Sequence, residues 1–459
     1  MKAEKVLVIG MGRSGIAATK ALLERGAAVA VQDSKTKDQM DPEFAAYLEA
    51  NKVEEYLGSV PEDMSGFDIL VLSPGVPPGL GFIREAAESG AEIIGELELA
   101  YRLGSGKYIA ITGTNGKTTT TTLVGEIYKA SGRETHVAGN IGVAVISKAM
   151  EASENSWLVT ETSSFQMETI DRFHPVMSAI LNLTPDHLDR HGSMENYGRA
   201  KAAVFKNQTE DEYCVLNYDD KACFALAERE GCNATVVPFS RKEELAFGAF
   251  VQDGKIVIKD QDGAVVTICG ADELRIPGSH NLENALAAAA IAYFGGIGKD
   301  VIAEVFRTFE GVEHRVEACG EIHGVRFVND SKGTNPDAAI KAIEAMKESI
   351  ILIAGGYDKG STYDALIGAF GDSVKTLILM GATAPKIRAA AEEAGFTDII
   401  VADDMEDCVA KAFGTAEPGD TVLLSPACAS WDMYDNFEQR GDHFKSCVRS
   451  LAKDWNRSH

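Results

Sequence analysis

The segment Thr112-Gly113-Thr114-Asn115-Gly116-Lys117-Thr118-Thr119 constrains this chain more than any other. It lies between an apolar run, Tyr108 to Thr112, and a helical pattern from Thr118 to about Ser131. A glycine-rich turn of this kind works where a buried strand delivers the chain to a helix N-terminus, so it presupposes a parallel sheet covered by helices. The glycines let backbone N–H groups close around an anion, and the helix end adds partial positive charge. Lys117 is placed to reach terminal phosphates and the Thr118 hydroxyl to ligate Mg2+. The generic pattern has a glycine five residues before Gly116, where this chain has Ile111. The strand–turn–helix context still favours nucleotide binding over a chance Gly-Lys-Thr. A phosphate site also needs an acid for its metal. The apolar strand Trp157 to Thr160 runs into Glu161, at the strand end where α/β sheets present ligand-binding groups.

The same alternation of short apolar strands and helices recurs along all 459 residues. Strands are expected at Val6 to Ile9, Ala28 to Gln32, Ile69 to Leu72, Met177 to Leu183, Arg326 to Val328, Ile350 to Ala354, Thr376 to Met380, Ile399 to Val401 and Thr421 to Leu424. This length suits about three domains. The expected fold class is α/β, with three domains that are each a mostly parallel sheet wrapped by helices. They are a Rossmann-like N-terminal domain (1–96), a P-loop ATPase-like central domain (97–311) and a Rossmann-like C-terminal domain (312–459).

Composition removes several classes. Lys+Arg is 44 and Asp+Glu is 69, a formal net charge of −25, which argues against a protein that coats nucleic acid. The first residues carry Glu4 and no apolar core of a signal peptide, and the longest apolar stretch, Ala285 to Phe294, is too short for a bilayer. The eight cysteines form no C-x-x-C pair. A reduced, cytoplasmic, monomeric protein without membrane insertion is expected.

Other loops look chemical. Gly10-Met-Gly12-Arg-Ser-Gly15 follows a strand, and Asp33 ends the next, which matches a dinucleotide fingerprint. Alone it suggests an NAD-binding oxidoreductase, but the same turn takes any diphosphate, and Asp33 and Ser34 suit a base or ribose. The run Asn182 to His191 contains Asp186, His187, Asp189 and His191 but lacks zinc spacing, and an ATP loop predicts a hard ion. On composition His187 is a second-rate Mg2+ ligand, and Lys201, on the following helix, a solvated lysine. In the C-terminal third, the loops 329–335, 355–360 and 425–432 all follow strands, so a doubly wound sheet gathers them on one edge. Lys332 and Lys359 in these turns suit carboxylate or phosphate, and Cys428 reads as packing rather than as a nucleophile.

Together the motifs are similar to those of a known family. T-G-T-N-G-K-T-T at 112–119, E-T-S-S-F-Q at 161–166, N-L-T-P-D-H-L-D-R-H at 182–191, H-N-x-x-N at 280–284, H-R at 314–315 and N-D-S-K-G-T-N at 329–335 resemble the ATP-dependent Mur ligases, in order and across essentially the whole chain. S-P-A-C-A-S-W-D at 425–432 with N-F-E-Q-R-G at 436–441 resembles the branch that adds D-glutamate. The D-N-P-R-type motif of the diamino-acid-adding relative and the distinct N-terminal domain of folylpolyglutamate synthases are missing. The resemblance implies a ligase of peptidoglycan precursor synthesis. ATP would phosphorylate UDP-N-acetylmuramoyl-L-alanine, D-glutamate would attack the acyl phosphate, and ADP and phosphate would leave. A sibling ligase adding another amino acid is the near alternative.

The resemblance also implies roles for residues. Gly113, Thr114, Asn115, Gly116, Lys117, Thr118, Thr119, Asn281, Asn284, Arg315 and Asp330 would bind ATP, with Lys117, Glu161, His187 and Lys201 catalytic. Thr118, Glu161, His187 and Lys201, the last as a carbamate, would serve two Mg2+ ions. Ser14, Asp33, Ser34, Ser73, Gly75 and Asn140 would bind the UDP substrate. Lys332, Thr334, Lys359, Ser430 and Phe437 would frame D-glutamate.

Overall fold

The structure, a computed structural model, describes residues 4–276 and 278–458. Its strands form three sheets. The first holds β1 (Lys5–Ile9), β2 (Ala28–Asp33), β3 (Glu54–Leu57), β4 (Ile69–Leu72) and β5 (Glu92–Gly95) in the order β3-β2-β1-β4-β5, all parallel. A parallel sheet is covered on both faces, so its central strand is apolar at every fully buried position, Val6 to Ile9. In β1, Val6 and Val8 join one buried cluster while Leu7 and Ile9 join the cluster on the other face.

The second sheet holds β6 (Lys107–Thr112), β7 (Thr135–Gly139), β8 (Trp157–Glu161), β9 (Met177–Ile180), β10 (Tyr213–Asn217), β11 (Thr235–Ser240), β12 (Gly248–Gln252), β13 (Lys255–Lys259) and β14 (Val265–Gly270). Their order is β14-β13-β12-β11-β10-β9-β6-β8-β7. Pairing is parallel except at the β12-β13-β14 edge, which is antiparallel. That edge follows from Asp253-Gly254, both at positive φ, the two-residue turn whose twist matches a hairpin.

The third sheet holds β15 (Glu317–Ile322), β16 (Val325–Asn329), β17 (Ile350–Ala354), β18 (Val374–Leu379), β19 (Ile399–Val401) and β20 (Thr421–Leu424) in the order β15-β16-β20-β17-β18-β19. Only β15, joined to β16 through His323-Gly324, runs antiparallel. Alternation again divides the strands between two cores. Leu352, Leu377 and Leu423 face one cluster, and Ile351, Ile378 and Val422 face the other.

By contact density the chain separates into two compact units. One comprises Met1–Leu183, Ser193–Ala271 and Asn284–Phe306, and carries the first two sheets. The other comprises Thr184–Gly192, Asp272–Glu283 and Arg307–His459, and carries the third. Within the first unit, two buried glutamates of the helix Glu96–Leu103 fix the segments they meet. Glu98 accepts the N–H groups of Asp171, Arg172 and Phe173. Glu96 accepts the Ile146 N–H at 2.6 Å. Among the described residues no helix is long and apolar enough to cross a membrane.

Candidate active site

In each sheet the chemically suggestive loops leave the C-terminal ends of neighbouring strands. This is where parallel α/β sheets open a crevice between helices.

The first sheet offers β2, β1 and β4. The turn after β1 packs so closely on itself that a Cβ on Gly15 would collide with the Gly10 carbonyl oxygen. The Asp33 carboxylate, at the end of β2, accepts the N–H of Met11 at 2.5 Å and of Lys35 at 2.8 Å. The Ser73 hydroxyl, after β4, donates to the Gly10 carbonyl at 2.6 Å. Ser14, Asp33, Ser34, Ser73 and Gly75 all line one cleft of about 960 Å3. Its size suits a nucleotide-sized ligand. Asn140, read from sequence with this group, is instead placed at Glu161.

The second sheet offers β9, β6, β8 and β7. After β6, Gly113 and Gly116 both take positive φ, and a Cβ on Gly116 would run into the Asn284 side-chain oxygen. Asn284, far along the chain, therefore lies directly on the loop. Thr118 and Thr119 open the helix Lys117–Ala130 and are buried. The loop is clasped by Asn182, at the end of β9. Its side-chain oxygen accepts the N–H groups of Thr114 (3.1 Å) and Asn115 (2.8 Å), and its amide donates to the Asn115 carbonyl (3.0 Å). Two ammonium groups meet on one carbonyl oxygen: Lys117 donates to Gly113 O at 3.0 Å and Lys201 at 2.7 Å. Lys201 is buried, its ammonium 4.4 Å from the Tyr197 ring centroid, so the solvated reading of this lysine is wrong. Glu161 ends β8 with 1% exposure, and one of its oxygens accepts the Asn140 amide at 3.0 Å.

The third sheet offers β16, β20 and β17, side by side. Asp330, after β16, accepts the Ser425 hydroxyl at 2.7 Å and the Val316 N–H at 3.3 Å. Burial pushes its carboxyl up to about 6, against the pull of the nearby Arg315 guanidinium. The Arg315 Nε is itself buried with no hydrogen-bond partner among the described residues, an orphan donor that a ligand oxygen would satisfy. Lys332 sits 4.8 Å from the Phe437 ring centroid. Arg440, fully buried, ties the loops together. It donates to Ser331 Oγ (3.0 Å) and to the carbonyls of Ser331 (2.8 Å), Ala429 (3.2 Å) and Cys428 (3.1 Å). Ser430 is buried beside them, and Thr334 closes its turn by donating its N–H to the Lys332 carbonyl at 2.9 Å. Burial pushes the Cys428 thiol up, consistent with packing rather than nucleophilic attack.

The segment Thr184–Gly192 belongs by its contacts to this second unit. His187 adopts φ 53° and ψ 31°, left-handed backbone that costs a non-glycine residue about 1–3 kcal/mol and concentrates at functional sites. Asp186 pairs with Lys359 at 3.3 Å and accepts the Asn335 amide at 3.2 Å. Asn281 opens the helix Ser279–Phe294, which also carries Asn284. Asp186, Asn182 and Arg440 had no role on sequence grounds. Each has at least one partner 67 or more positions away, and no local pattern encodes such pairs.

Three family models match consecutive stretches of the chain. They describe a Mur ligase MurD-like N-terminal domain (residues 4–95), the Mur ligase middle domain (111–292) and the Mur ligase glutamate ligase domain (314–428). Over 456 residues the chain is 52% identical to the UDP-N-acetylmuramoylalanine–D-glutamate ligase of Alkaliphilus oremlandii, covering 99% of this chain and 100% of that one. The protein of the same name from Clostridioides difficile is 48% identical, over 98% and 99% of the two chains. Among solved structures, the UDP-N-acetylmuramate-alanine ligase MurC of Thermotoga maritima superposes with a TM-score of 0.60 at 18% identity, over 98% of this chain and 100% of that one. MurF of Acinetobacter baumannii gives 0.58 at 16%, over 86% and 95%. Those two likenesses are of fold.

Proposed function

The chain belongs to the Mur ligase family, and on that premise we propose that it joins D-glutamate to UDP-N-acetylmuramoyl-L-alanine with consumption of ATP, in peptidoglycan precursor synthesis. The observation that carries the choice within the family is the full-length identity of about half to relatives named for D-glutamate, against 18% to the alanine ligase. A nicotinamide oxidoreductase would leave the phosphate loop and the lysine-bearing turns without purpose. The nucleotide chemistry and eight free cysteines suit the cytoplasm.

The chemistry sets the demands. A carboxylate oxygen of the alanyl group attacks the γ-phosphorus of ATP and ADP leaves. The amine of D-glutamate then attacks the acyl carbon, the carbon–oxygen bond to phosphate breaks, and one proton is lost from nitrogen. Anion attacks anion in the first step, so fixed positive charge dominates catalysis. Lys117 and the N–H groups of the 112–119 loop that Asn182 does not engage hold the phosphates. The rigidity lent by Asn182 keeps those donors aimed before ATP arrives, which spares reorganisation in the transition state. Asn281, Asn284, Arg315 and Asp330 are assigned to ATP, Arg315 through its orphan Nε. The 960 Å3 cleft is assigned to the uridine end, and Asn140, hydrogen-bonded to Glu161, to the reacting end.

Mg2+ fits the donor set, because the Thr118 hydroxyl and the Glu161 carboxylate are hard oxygen ligands. With His187 they would hold the ions, which when bound neutralise phosphate charge. The shared Gly113 carbonyl also supports a carbamylated Lys201. Two ammonium ions on one oxygen repel, which favours proton loss from Lys201; the neutral amine would add to CO2 and release a second proton, leaving a carbamate that attracts both Lys117 and a metal. Lys332, Thr334, Lys359, Ser430 and Phe437 are assigned to D-glutamate, whose two carboxylates account for two lysines.

The test is phosphate release from ATP and Mg2+ with UDP-N-acetylmuramoyl-L-alanine and D-glutamate, L-glutamate or no amino acid. Release that requires both the nucleotide substrate and D-glutamate is expected. Release with another amino acid instead would move the chain to a sibling activity.

A further inference from the structure

Lys359 has an internal partner. Its ammonium lies 3.3 Å from Asp186 Oδ1, and the two side chains are only 14% and 12% exposed. That separation is longer than the roughly 2.7–2.9 Å of a tight charge-assisted bond, so the pair is a loose one. The two partners are held very differently. Asp186 is fixed from two other directions: Oδ1 accepts the His187 N–H at 3.0 Å and Oδ2 accepts the Asn335 amide at 3.2 Å. Asn335 is itself locked, because its side-chain oxygen caps the helix Pro336–Ala345 through the Ala338 N–H at 2.8 Å. Lys359 instead sits in a glycine-flanked turn on a long flexible stem. A fixed carboxylate thus faces a movable ammonium.

The two lysines assigned to D-glutamate account for its carboxylates and leave its α-ammonium without an anion. An α-amino acid carries an ammonium and a carboxylate one carbon apart, the charge pattern that Asp186 and Lys359 complement. We propose that Asp186 is the ammonium-binding residue of the amino-acid site. D-glutamate would place its α-ammonium on Asp186 and a carboxylate on Lys359, replacing the internal pair by an alternating row of four charges. The proposal rests on the assignment of Lys359 to D-glutamate. It makes Asp186 a specificity determinant: a dicarboxylate without an amine would bring a carboxylate towards Lys359 and find Asp186 repelling it.

Glutarate, which is glutamate without the amine, is the probe. In the phosphate-release assay with the full chain, one measures KM for D-glutamate and the competitive inhibition constant of glutarate for the wild type, Asp186→Asn, Asp186→Glu and Lys359→Met. Asp186→Asn is expected to raise KM for D-glutamate on the order of ten- to a hundred-fold, the loss of one charge-assisted contact, with a smaller change in kcat. It is expected to tighten glutarate several-fold, and Asp186→Glu to restore part of the preference for the amine. A damaged fold would weaken both ligands together, so opposite signs cannot come from misfolding. Both ligands weakening, or an unchanged ratio, overturns the role of Asp186. If Lys359→Met leaves both ligands unaffected, the assignment of Lys359 fails and the proposal falls with it. If Lys359→Met weakens both while Asp186→Asn does nothing, only the proposal falls.

Discussion

Glu96 is a carboxylate with almost no water around it. Burial raises its pKa to about 7, although the backbone N–H groups of Ile146 and Val145 donate to it and pull the other way. Its second oxygen has no partner among the described residues, and the Tyr108 hydroxyl, which feels its charge, is also buried and without a hydrogen-bond partner among them. Below pH 4.5 the group is protonated in both the folded and the unfolded chain and costs nothing. Between 4.5 and about 7 the unfolded chain releases its proton while the folded one keeps it, so stability falls as pH rises. Above that the full penalty, roughly 3 kcal/mol, stands. Glu96→Gln keeps an acceptor for Ile146 and cannot ionise. Its melting temperature relative to the wild type should therefore climb between pH 5 and 7 and level off by pH 8. Parallel curves would show that Glu96 does not titrate in that window. Nothing near Glu96 in sequence distinguishes it from Glu92, which is exposed enough to pair with Arg102. Lys117, Thr118 and Glu161 were legible because a turn or strand end announces them. Glu96 and Lys201 were not, because their character comes from what packs over them.

At the scale of elements, neighbouring strands bring the loops together. Asn182, the 112–119 loop, Glu161 and Asn140 leave β9, β6, β8 and β7, which are consecutive in the sheet. Most strands buried on both faces were readable as unbroken apolar runs, although the central strand β10 (YCVLN) was not, because Tyr213 and Asn217 bracket only three apolar residues. β3 (EEYL) and β7 (THVAG) were not, because they lie at sheet edges and keep polar residues. The β12–β14 edge was not legible as an antiparallel departure from the parallel pattern, because only the two-residue turn Asp253-Gly254 marks it locally. The contact between Asn182 and the phosphate loop belongs to this scale, since it couples the end of one strand to the loop after its neighbour. Asn182→Ala would leave the Thr114 and Asn115 N–H groups without that acceptor and free the loop to move. Restoring its shape on binding ATP would cost about 1–3 kcal/mol. KM for ATP should rise roughly ten- to a hundred-fold, the equivalent of that cost. KM for D-glutamate should change little, because that site is built on the third sheet. An equal rise in both would show that Asn182 supports the fold rather than the loop.

For the whole molecule the governing quantity is charge. The protein carries −25, and the substrates assigned to it are all anions. Long-range repulsion therefore opposes every encounter, and attraction arises only within a few ångströms of Lys117, Arg315, Lys332 and Lys359. The two effects respond differently to salt. The Debye length shrinks from about 30 Å at 0.01 M to about 10 Å at 0.1 M, which removes the repulsion of the distant acidic surface. Contacts with half-buried cations such as Lys359 are screened much less over that range. At constant free Mg2+, kcat/KM for D-glutamate and for the nucleotide substrate should rise several-fold as KCl goes from about 10 to about 100 mM, and fall at higher salt as short-range pairs weaken. The rise needs no diffusion-limited step, because a repulsive potential lowers the equilibrium occupancy of the encounter as well as its rate. A monotonic fall from the lowest salt would mean that the cations of the site project their field beyond the protein surface. Substrates would then be attracted from afar despite the net charge, and the acidic surface would have no part in setting affinity.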